Sequence, residues 1–185
     1  ESKMWALIIF LATLAAADHF ALIAPSAPAL QTTDANARPT GRRDAAIWIQ
    51  NQDLYVFGGQ TEAGRTRDFW KYEPATRRWL WFPSGPGVVG RSGALYWNMA
   101  NQFWLYGGIT DESMVLDDLW SFTLSDRTWH AKTLATGPRK VYDMPCWTSS
   151  ATNKLFLYDN AVIWSYQIMD NEWTPHNLTS APDIG

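Results

Sequence analysis

A segment of about fifty residues occurs three times in the chain, and this repetition restricts the possible folds more than any other feature. Each copy holds an apolar run, a loop, a second run with a tryptophan, and a later tryptophan. Six of the twelve tryptophans of the chain follow this pattern: Trp70, Trp120 and Trp164 in the second runs, and Trp79, Trp129 and Trp173 after them. Both series are spaced by 50 residues (120 − 70 and 129 − 79) and then by 44 (164 − 120 and 173 − 129). Because the two tryptophan series change their spacing by the same amount, the copies are structural repeats rather than a coincidence of composition.

A glycine pair ends the first apolar run in two of the three copies, as Gly58-Gly59 and Gly107-Gly108. Glycine tolerates positive φ and close backbone approach, which suits a sharp turn at a crowded site. The third copy has Tyr158-Asp159-Asn160 at this place. A period near fifty with a glycine pair and a later tryptophan is the kelch spacing. From about Arg42 to His176 the chain therefore resembles the kelch repeat family, in which each unit is a four-stranded propeller blade.

This resemblance implies an all-β, kelch-type β-propeller with three four-stranded blades, at residues 41–90, 91–137 and 138–180. The runs 54–57, 103–106 and 155–158 are rich in β-branched and aromatic residues, as buried strands are. First strands are predicted at 44–49, 93–97 and 141–148. Third strands are predicted at 69–72, 119–124 and 163–168, and fourth strands around the later tryptophans. Propellers have four to eight blades, so three blades predict an incomplete ring. Residues 181–185 resemble the start of a further blade, so we predict that the chain is a fragment of a longer propeller. The alternative is an open stack of blades that another chain completes.

The N-terminal part of the sequence predicts an export signal. Residues 4–17 form a fourteen-residue run without charge, which is short for a membrane span and typical of a signal-peptide core. We predict a signal peptide over 1–17, formed as an apolar helix with small residues at Ala15-Ala16-Ala17. The alternatives are a buried or interfacial helix and a signal anchor that continues through 20–24. The Ala/Pro-rich stretch 18–40 is predicted to be a linker. Asn177-Leu178-Thr179 is an N-glycosylation acceptor. Together these features indicate a secreted or cell-surface glycoprotein.

Composition and residue spacing argue against several classes of function. The net charge is −3 and there is no basic run, so nucleic acid is not expected as a partner. Cys146 is the only cysteine, and the three histidines are far apart in sequence, so we expect no disulfide, metal or cofactor. Galactose-oxidase-like enzymes share the kelch propeller and use copper with a Tyr–Cys cofactor. Nothing near Cys146 in the sequence supplies a histidine pair for such a site.

An arginine is predicted to open each blade, at Arg42, Arg91 and Arg139. If the family arrangement holds, these residues face the mouth of the central channel. They then form either a ring of donors for ligand carboxylates or, as we favour, a repeated structural hydrogen bond to the adjacent blade. Asp68 and Asp117 also lie at equivalent positions (117 − 68 = 49) and can pair with the arginines or cap turns.

The loops between strands two and three, and those between blades, share one face in kelch propellers. Residues that bind a partner commonly lie on variable loops that a rigid scaffold positions. The candidate residues here are Arg65, Arg67, Asp111 and Glu112. The sequence thus predicts a non-catalytic binding module that recognises a protein or glycan through its loops. The alternatives are a galactose-oxidase-like or sugar-isomerase-like enzyme and a purely structural stack of blades within a larger assembly.

Overall fold

The computed structural model describes residues 37–83 and 87–177, and every regular element in them is a β-strand. The first blade contains β1 (Ala46–Gln50), β2 (Asp53–Phe57), a short hairpin of β3 (Gln60–Thr61) and β4 (Gly64–Arg65), β5 (Phe69–Glu73) and β6 (Arg78–Phe82). Its four long strands form an antiparallel sheet in the order β1-β2-β5-β6, and the hairpin pairs only with itself.

The second and third blades repeat this meander. The second contains β7 (Leu95–Met99), β8 (Gln102–Tyr106), β9 (Leu119–Thr123) and β10 (Thr128–Lys132). The third contains β11 (Cys146–Ser149), β12 (Lys154–Asp159), β13 (Val162–Gln167) and β14 (Glu172–Asn177). In each sheet, consecutive long strands are neighbours. The predicted all-β architecture of three four-stranded blades is therefore confirmed.

The first strand of each blade begins later than the sequence predicted. The intervening segment makes contacts between blades: the N–H of Gly93 donates to Asp44 O, and the N–H of Asp143 donates to Gly93 O, both at 2.8 Å. All three residues have φ values between 53° and 62°. A left-handed residue cannot continue a strand. The strands therefore start only after it, and the residues between arginine and strand form the joint between blades.

Aromatic side chains fill the space between successive blades. Between blades one and two, the indole of Trp48 stacks on Phe103 at 5.2 Å and 16°, and Phe69 meets Phe122 edge-on at 4.8 Å. Between blades two and three, Tyr106 packs against Trp173 at 5.3 Å. Such pairs contribute about 0.5–1.5 kcal/mol beyond the area that they bury. Two aromatic cores thus hold the three sheets together.

The recurring tryptophans occupy two kinds of environment. Trp129 and Trp173 are buried in the cores between blades. The other four are half-buried, namely Trp70, Trp79, Trp120 and Trp164. Pro175 lies in β14, the outermost strand of its sheet, and an edge strand tolerates proline because one row of its backbone N–H groups has no partner strand.

The glycine pairs are required by contact between blades. Gly58 and Gly107 have φ values of 66° and 65°. A Cβ on Gly58 would lie 2.7 Å from the carbonyl oxygen of Arg91 in the next blade. The N–H of Gly59 donates to that same oxygen at 2.8 Å. Only glycine combines this conformation with so close an approach.

The third blade replaces the glycine pair and its loop with a tight turn. Strand β12 continues to Asp159, and Asn160 and Ala161 turn the chain directly into β13. Both turn residues have positive φ, 46° and 66°, as in the two-residue hairpin turns that match strand twist. This turn accounts for the shorter spacing of 44 residues in the third copy.

Three predictions lie outside the described residues. They are the apolar helix and signal peptide over 1–17, most of the linker over 18–40, and the start of a further blade over 181–185. Within residues 37–83 and 87–177, no helix has the length and apolar character needed to cross a membrane.

Candidate functional site on the loop face

Arg42 closes the loop between the second and third long strands of blade one. Its Nη1 donates to the carbonyl oxygen of Gly58 at 2.9 Å and to Asp68 Oδ1 at 2.5 Å, and its Nη2 donates to Asp68 Oδ2 at 2.9 Å. Gly58 is the first residue after β2, and Asp68 is the last residue before β5. One guanidinium group therefore holds both ends of the loop.

Arg91 makes the same clamp in blade two. Its guanidinium donates to the carbonyl oxygen of Gly107 at 2.9 Å and to the two carboxylate oxygens of Asp118 at 2.5 and 2.8 Å. The Arg91 side chain is only 1% exposed. Bidentate pairs of this kind are among the strongest hydrogen-bonded contacts in proteins. The two arginines are committed to these structural contacts.

An indole supports each carboxylate of the clamp. Trp70 Nε1 donates to Asp68 Oδ2 at 2.6 Å, and Trp120 Nε1 donates to Asp118 Oδ2 at 2.7 Å. Burial by itself raises the pKa of both aspartates, but the hydrogen bonds from arginine and indole outweigh it. The pKa of each carboxyl group is therefore below its ordinary value.

The structure corrects two details of this pairing. The partner of Arg91 is Asp118. The spacing of the repeats had instead predicted Asp117 at the position equivalent to Asp68. The exposed Asp117 instead lines a surface cavity of about 390 Å³ together with Tyr106 and Lys132. Each arginine side chain also bonds within its own blade, and the link to the adjacent blade is made by the backbone.

Arg139 does not occupy the third clamp position. The carbonyl oxygen of Val141 accepts from Gly108 N at 2.8 Å, just as that of Arg91 accepts from Gly59 N. Val141 is thus the equivalent residue. Val162, the first residue of β13, lies two residues before Trp164 and stands where the aspartate would be. The Arg139 side chain is 79% exposed and lies 4.0 Å from Asp159. Blade three has a two-residue turn in place of a long loop, so it has no loop to clamp.

Arg65 joins the long loops of blades one and two. Its Nε donates to Ser92 Oγ at 2.9 Å and its Nη1 to the carbonyl oxygen of Thr110 at 3.0 Å. Its backbone N–H donates to Asp111 Oδ1 at 2.8 Å. A Cβ on Gly64 would clash with the same carboxylate. The β3–β4 hairpin is therefore fixed against the loop of the next blade.

Three adjoining cavities form a continuous depression across this face, which we call the loop-face groove. Their volumes are about 480, 510 and 340 Å³, and each shares lining residues with the next. The groove runs from Thr40 past Arg65 to Met114. Val89 and Met114 expose apolar surface in it. Besides Arg65, the charged residues along it are Glu62, Arg67, Asp111 and Glu112.

Two groups capable of chemistry, the Cys146 thiol and the Ser165 hydroxyl, are partly or fully buried in the part of the chain that the structure describes. It contains no group of three or more histidine, cysteine or acidic residues placed to hold a metal ion. Burial raises the pKa of the Cys146 thiol, which lowers its nucleophilicity at neutral pH. Ser165 Oγ lies 2.8 Å from His176 Nε2, a contact that sequence reasoning missed because the two residues lie on neighbouring strands. Ser165 is fully buried, so a substrate cannot reach its hydroxyl.

Comparison with known proteins agrees with this architecture. Residues 26–182 match the family model described as the KLHDC2/KLHL20/DRC7 Kelch-repeats domain. A solved structure described as "Structure of YjhT", a kelch-type propeller, aligns with a TM-score of 0.62 and 16% identity. The alignment covers 77% of this chain and 54% of that one, so this chain spans about half its length. A search of curated proteins found no match. Because the family model covers 157 of the 185 residues (182 − 26 + 1), the chain belongs to the kelch-repeat family.

Proposed function

We propose that this kelch domain, an interaction module by its family, binds a protein partner through the loop-face groove. The observation that carries the proposal is the set of contacts made by Arg65. They join the β3–β4 hairpin to Ser92, Thr110 and Asp111, so that loops of two blades form one continuous wall. A surface fixed before binding does not lose further loop entropy on association.

The groove combines the features of a protein-binding surface. Val89 and Met114 offer apolar contact area, and methionine adapts to partners of different shape. Arg67 contributes a positive charge at one side, while Asp111 and Glu112 contribute negative charge at the other. Charges of both signs around an apolar centre give orientation and specificity more than affinity. We therefore favour a protein segment with an apolar anchor flanked by charged residues, rather than a glycan.

A matched pair of charge reversals tests the role of this face. Arg67→Glu alters the groove, whereas Arg77→Glu makes the same charge change in the turn between β5 and β6, at the opposite end of β5. Both arginines are exposed in the structure. Met114→Lys removes one apolar contact at the far end of the groove.

The assay is capture of partners by the immobilised chain, followed by affinity measurement on each purified partner. We expect Arg67→Glu and Met114→Lys each to weaken binding about tenfold, which corresponds to about 1.4 kcal/mol. Arg77→Glu should bind as the unchanged protein does. Partners that bind all three variants equally would refute the groove as the site. Loss of binding after deglycosylation of the partner would favour the glycan alternative.

We further propose that the chain is exported and carries a glycan on Asn177. Export is supported by the apolar run over 4–17 and by the three alanines that end it, Ala15-Ala16-Ala17. Glycosylation is supported by the acceptor triplet that begins at Asn177. The Asn177 side chain is exposed at the end of β14. Expression in secretory cells should give a product in the medium that starts after residue 17. Its mass should fall on endoglycosidase treatment, and Asn177→Gln should abolish that change. Retention inside the cell with residues 1–17 intact would contradict the proposal.

A further inference from the structure

The row of side chains next to the loop face differs between blades one and two. Residues that are paired across a sheet share one face of it. In blade one the row that faces blade two is buried throughout and consists of Ala46, Phe57, Phe69 and Phe82. In blade two the row that faces blade three consists of Leu95, Tyr106, Leu119 and Lys132. A lysine therefore stands where blade one buries Phe82 (82 + 50 = 132).

Lys132 carries a positive charge at the boundary between blades two and three. The inner part of this boundary is closed by an indole, since Trp97 Nε1 donates to the carbonyl oxygen of Phe156 at 3.2 Å. On the last strand of blade two, the half-buried Lys132 places its ammonium group 5.3 Å from the centroid of the Trp104 ring. No carboxylate of a described residue lies within 4.0 Å of this nitrogen. Burial of an ammonium group without an anion is destabilising, and an aromatic face offsets only part of that cost. An anion bound here would therefore stabilise the charge.

Asp117 brings the opposite charge to the same place. It is exposed and precedes the clamp residue Asp118, so its equivalent in blade one is Arg67, which precedes Asp68. The surface cavity of about 390 Å³, which we call the boundary cavity, is lined by Tyr106, Asp117, Lys132 and residues 134–138. Its volume lies in the range of small-molecule sites. Among the described residues no ion pair within 4.0 Å joins Asp117 to Lys132, so both charges can contact a ligand.

The segment 134–138 in the wall of the boundary cavity is held by both blades. Tyr106 Oη of blade two donates to the carbonyl oxygen of Pro138 at 3.0 Å. Asn171 Nδ2 of blade three donates to the carbonyl oxygen of Thr133, just before the segment, at 2.8 Å. A wall that is fixed before binding does not lose loop entropy on association. The boundary cavity therefore has the preformed shape that is usual for small-molecule sites.

We propose that the boundary cavity binds a small zwitterion, such as a free amino acid, whose carboxylate contacts Lys132 and whose ammonium group contacts Asp117. A ligand with one charge would compensate only one of the two side chains, whereas a zwitterion compensates both. Charge-assisted hydrogen bonds at its two ends also fix its orientation. The boundary cavity shares no lining residue with the loop-face groove, so the inference does not depend on the protein partner proposed for that groove.

Calorimetric titration of the full chain with single compounds tests the requirement for two charges. The zwitterions are glycine, β-alanine and γ-aminobutyrate, which differ in the separation of their charges. Butyrate and butylamine are the matched probes that carry one charge each. We expect at least one zwitterion to bind with a Kd below about 1 mM, and at least tenfold more tightly than butyrate or butylamine. Failure of all three zwitterions to bind, or equally tight binding of a probe with one charge, would overturn the proposal.

Substitutions in the boundary cavity test the two contacts. Asp117→Asn, Lys132→Met and Lys132→Phe should each weaken binding of the zwitterion at least tenfold. Lys132→Phe should keep the fold, because blade one buries a phenylalanine at this position, and thermal melting checks the folding of every variant. Asp170→Asn and Lys140→Met are the matched controls at exposed residues outside the cavity, and they should bind as the unchanged protein does. Arg67→Glu, in the loop-face groove, should also leave this binding unchanged, which separates the two sites. Undiminished binding by the folded Asp117 or Lys132 variants would refute the assignment.

Discussion

The Arg91–Asp118 clamp can be replaced by the pair that the chain itself uses in blade three. Val141 and Val162 occupy the clamp positions there, so Arg91→Val and Asp118→Val convert blade two to the residues of blade three. Each single substitution leaves one charged partner behind, whereas the double substitution leaves neither. We expect the double variant to be more stable than Asp118→Val alone.

The two single variants should differ in magnitude because the partners differ in burial. Breaking a buried ion pair costs roughly 3–5 kcal/mol when the remaining charge cannot reach water. Asp118→Val leaves Arg91 at 1% exposure and should cost this full amount. Arg91→Val leaves a carboxylate that is 36% exposed and still accepts from Trp120, so about 2–3 kcal/mol is expected. The double variant should lose about 1–2 kcal/mol, chiefly because the carbonyl of Gly107 loses its donor.

Denaturant unfolding of the four proteins measures these differences, and a coupling energy of at least about 2 kcal/mol is expected from the cycle. In thermal melts each kcal/mol corresponds to about 2–4 °C for a chain of this size. Additive effects, with the double variant less stable than either single variant, would refute the clamp as a coupled buried pair.

Acid should remove the contribution of the clamp. Because the pKa of Asp118 is lowered in the folded protein, its stabilisation is fully present above the ordinary aspartate pKa of 3.8. It is lost as the pH falls through the lower folded pKa. The stability of the unchanged protein should therefore fall more steeply below about pH 4 than that of the double variant, in which no carboxyl group titrates at this position.

Three further outcomes are expected. Gly58→Ala should lower the free energy of unfolding by at least about 2 kcal/mol, because Gly58 has a positive φ and its Cβ would meet a carbonyl oxygen of the next blade. The control is Gly41→Ala, whose Cβ meets nothing within 4 Å. In the same denaturation assay, its free energy of unfolding should stay within about 0.5 kcal/mol of the unchanged protein. Trp97→Phe should cost about 2 kcal/mol, since it keeps a ring but loses the indole donor to the next blade; an unchanged midpoint would contradict that link. Burial raises the pKa of Tyr166 to about 12, so the phenolate absorbance of the folded protein should lack its contribution near pH 11, and Tyr166→Phe should leave that titration unchanged.

The repeated apolar and aromatic runs of the sequence predicted the sheets, because the packing between successive blades repeats in the same way. Runs such as 103–106 are buried on both faces and contain little but aromatic and branched residues, so their extent was readable. The first strands were predicted too early, because backbone bonds between blades at Asp44 and Gly93 leave no trace in residue type. The β3–β4 hairpin was missed for a related reason: its polar residues show no alternation that would indicate a strand.

The candidate site was less predictable than the fold. Arg65 was a candidate from its place in a loop, but its role in joining two blades depends on Ser92 and Thr110, which lie 27 and 45 residues away. Asp117 was preferred over Asp118 because adjacent identical residues cannot be distinguished by spacing to a precision of one position. The tryptophan series does distinguish them, since Trp70 and Trp120 each lie two residues after the aspartate that accepts their indole N–H.

Blade three shows what the clamp is for, because it lacks both the clamp and the loop. If the arginine held neighbouring blades together, blade three would need one, since it packs against blade two as blade two packs against blade one. Val141 takes that position without loss of the backbone link between blades. The charged pair therefore belongs to the long loops of blades one and two, and these loops form the walls of the loop-face groove. It follows that the double valine variant, although folded, should lose partner binding in the groove, because an unclamped loop must be ordered again with each association.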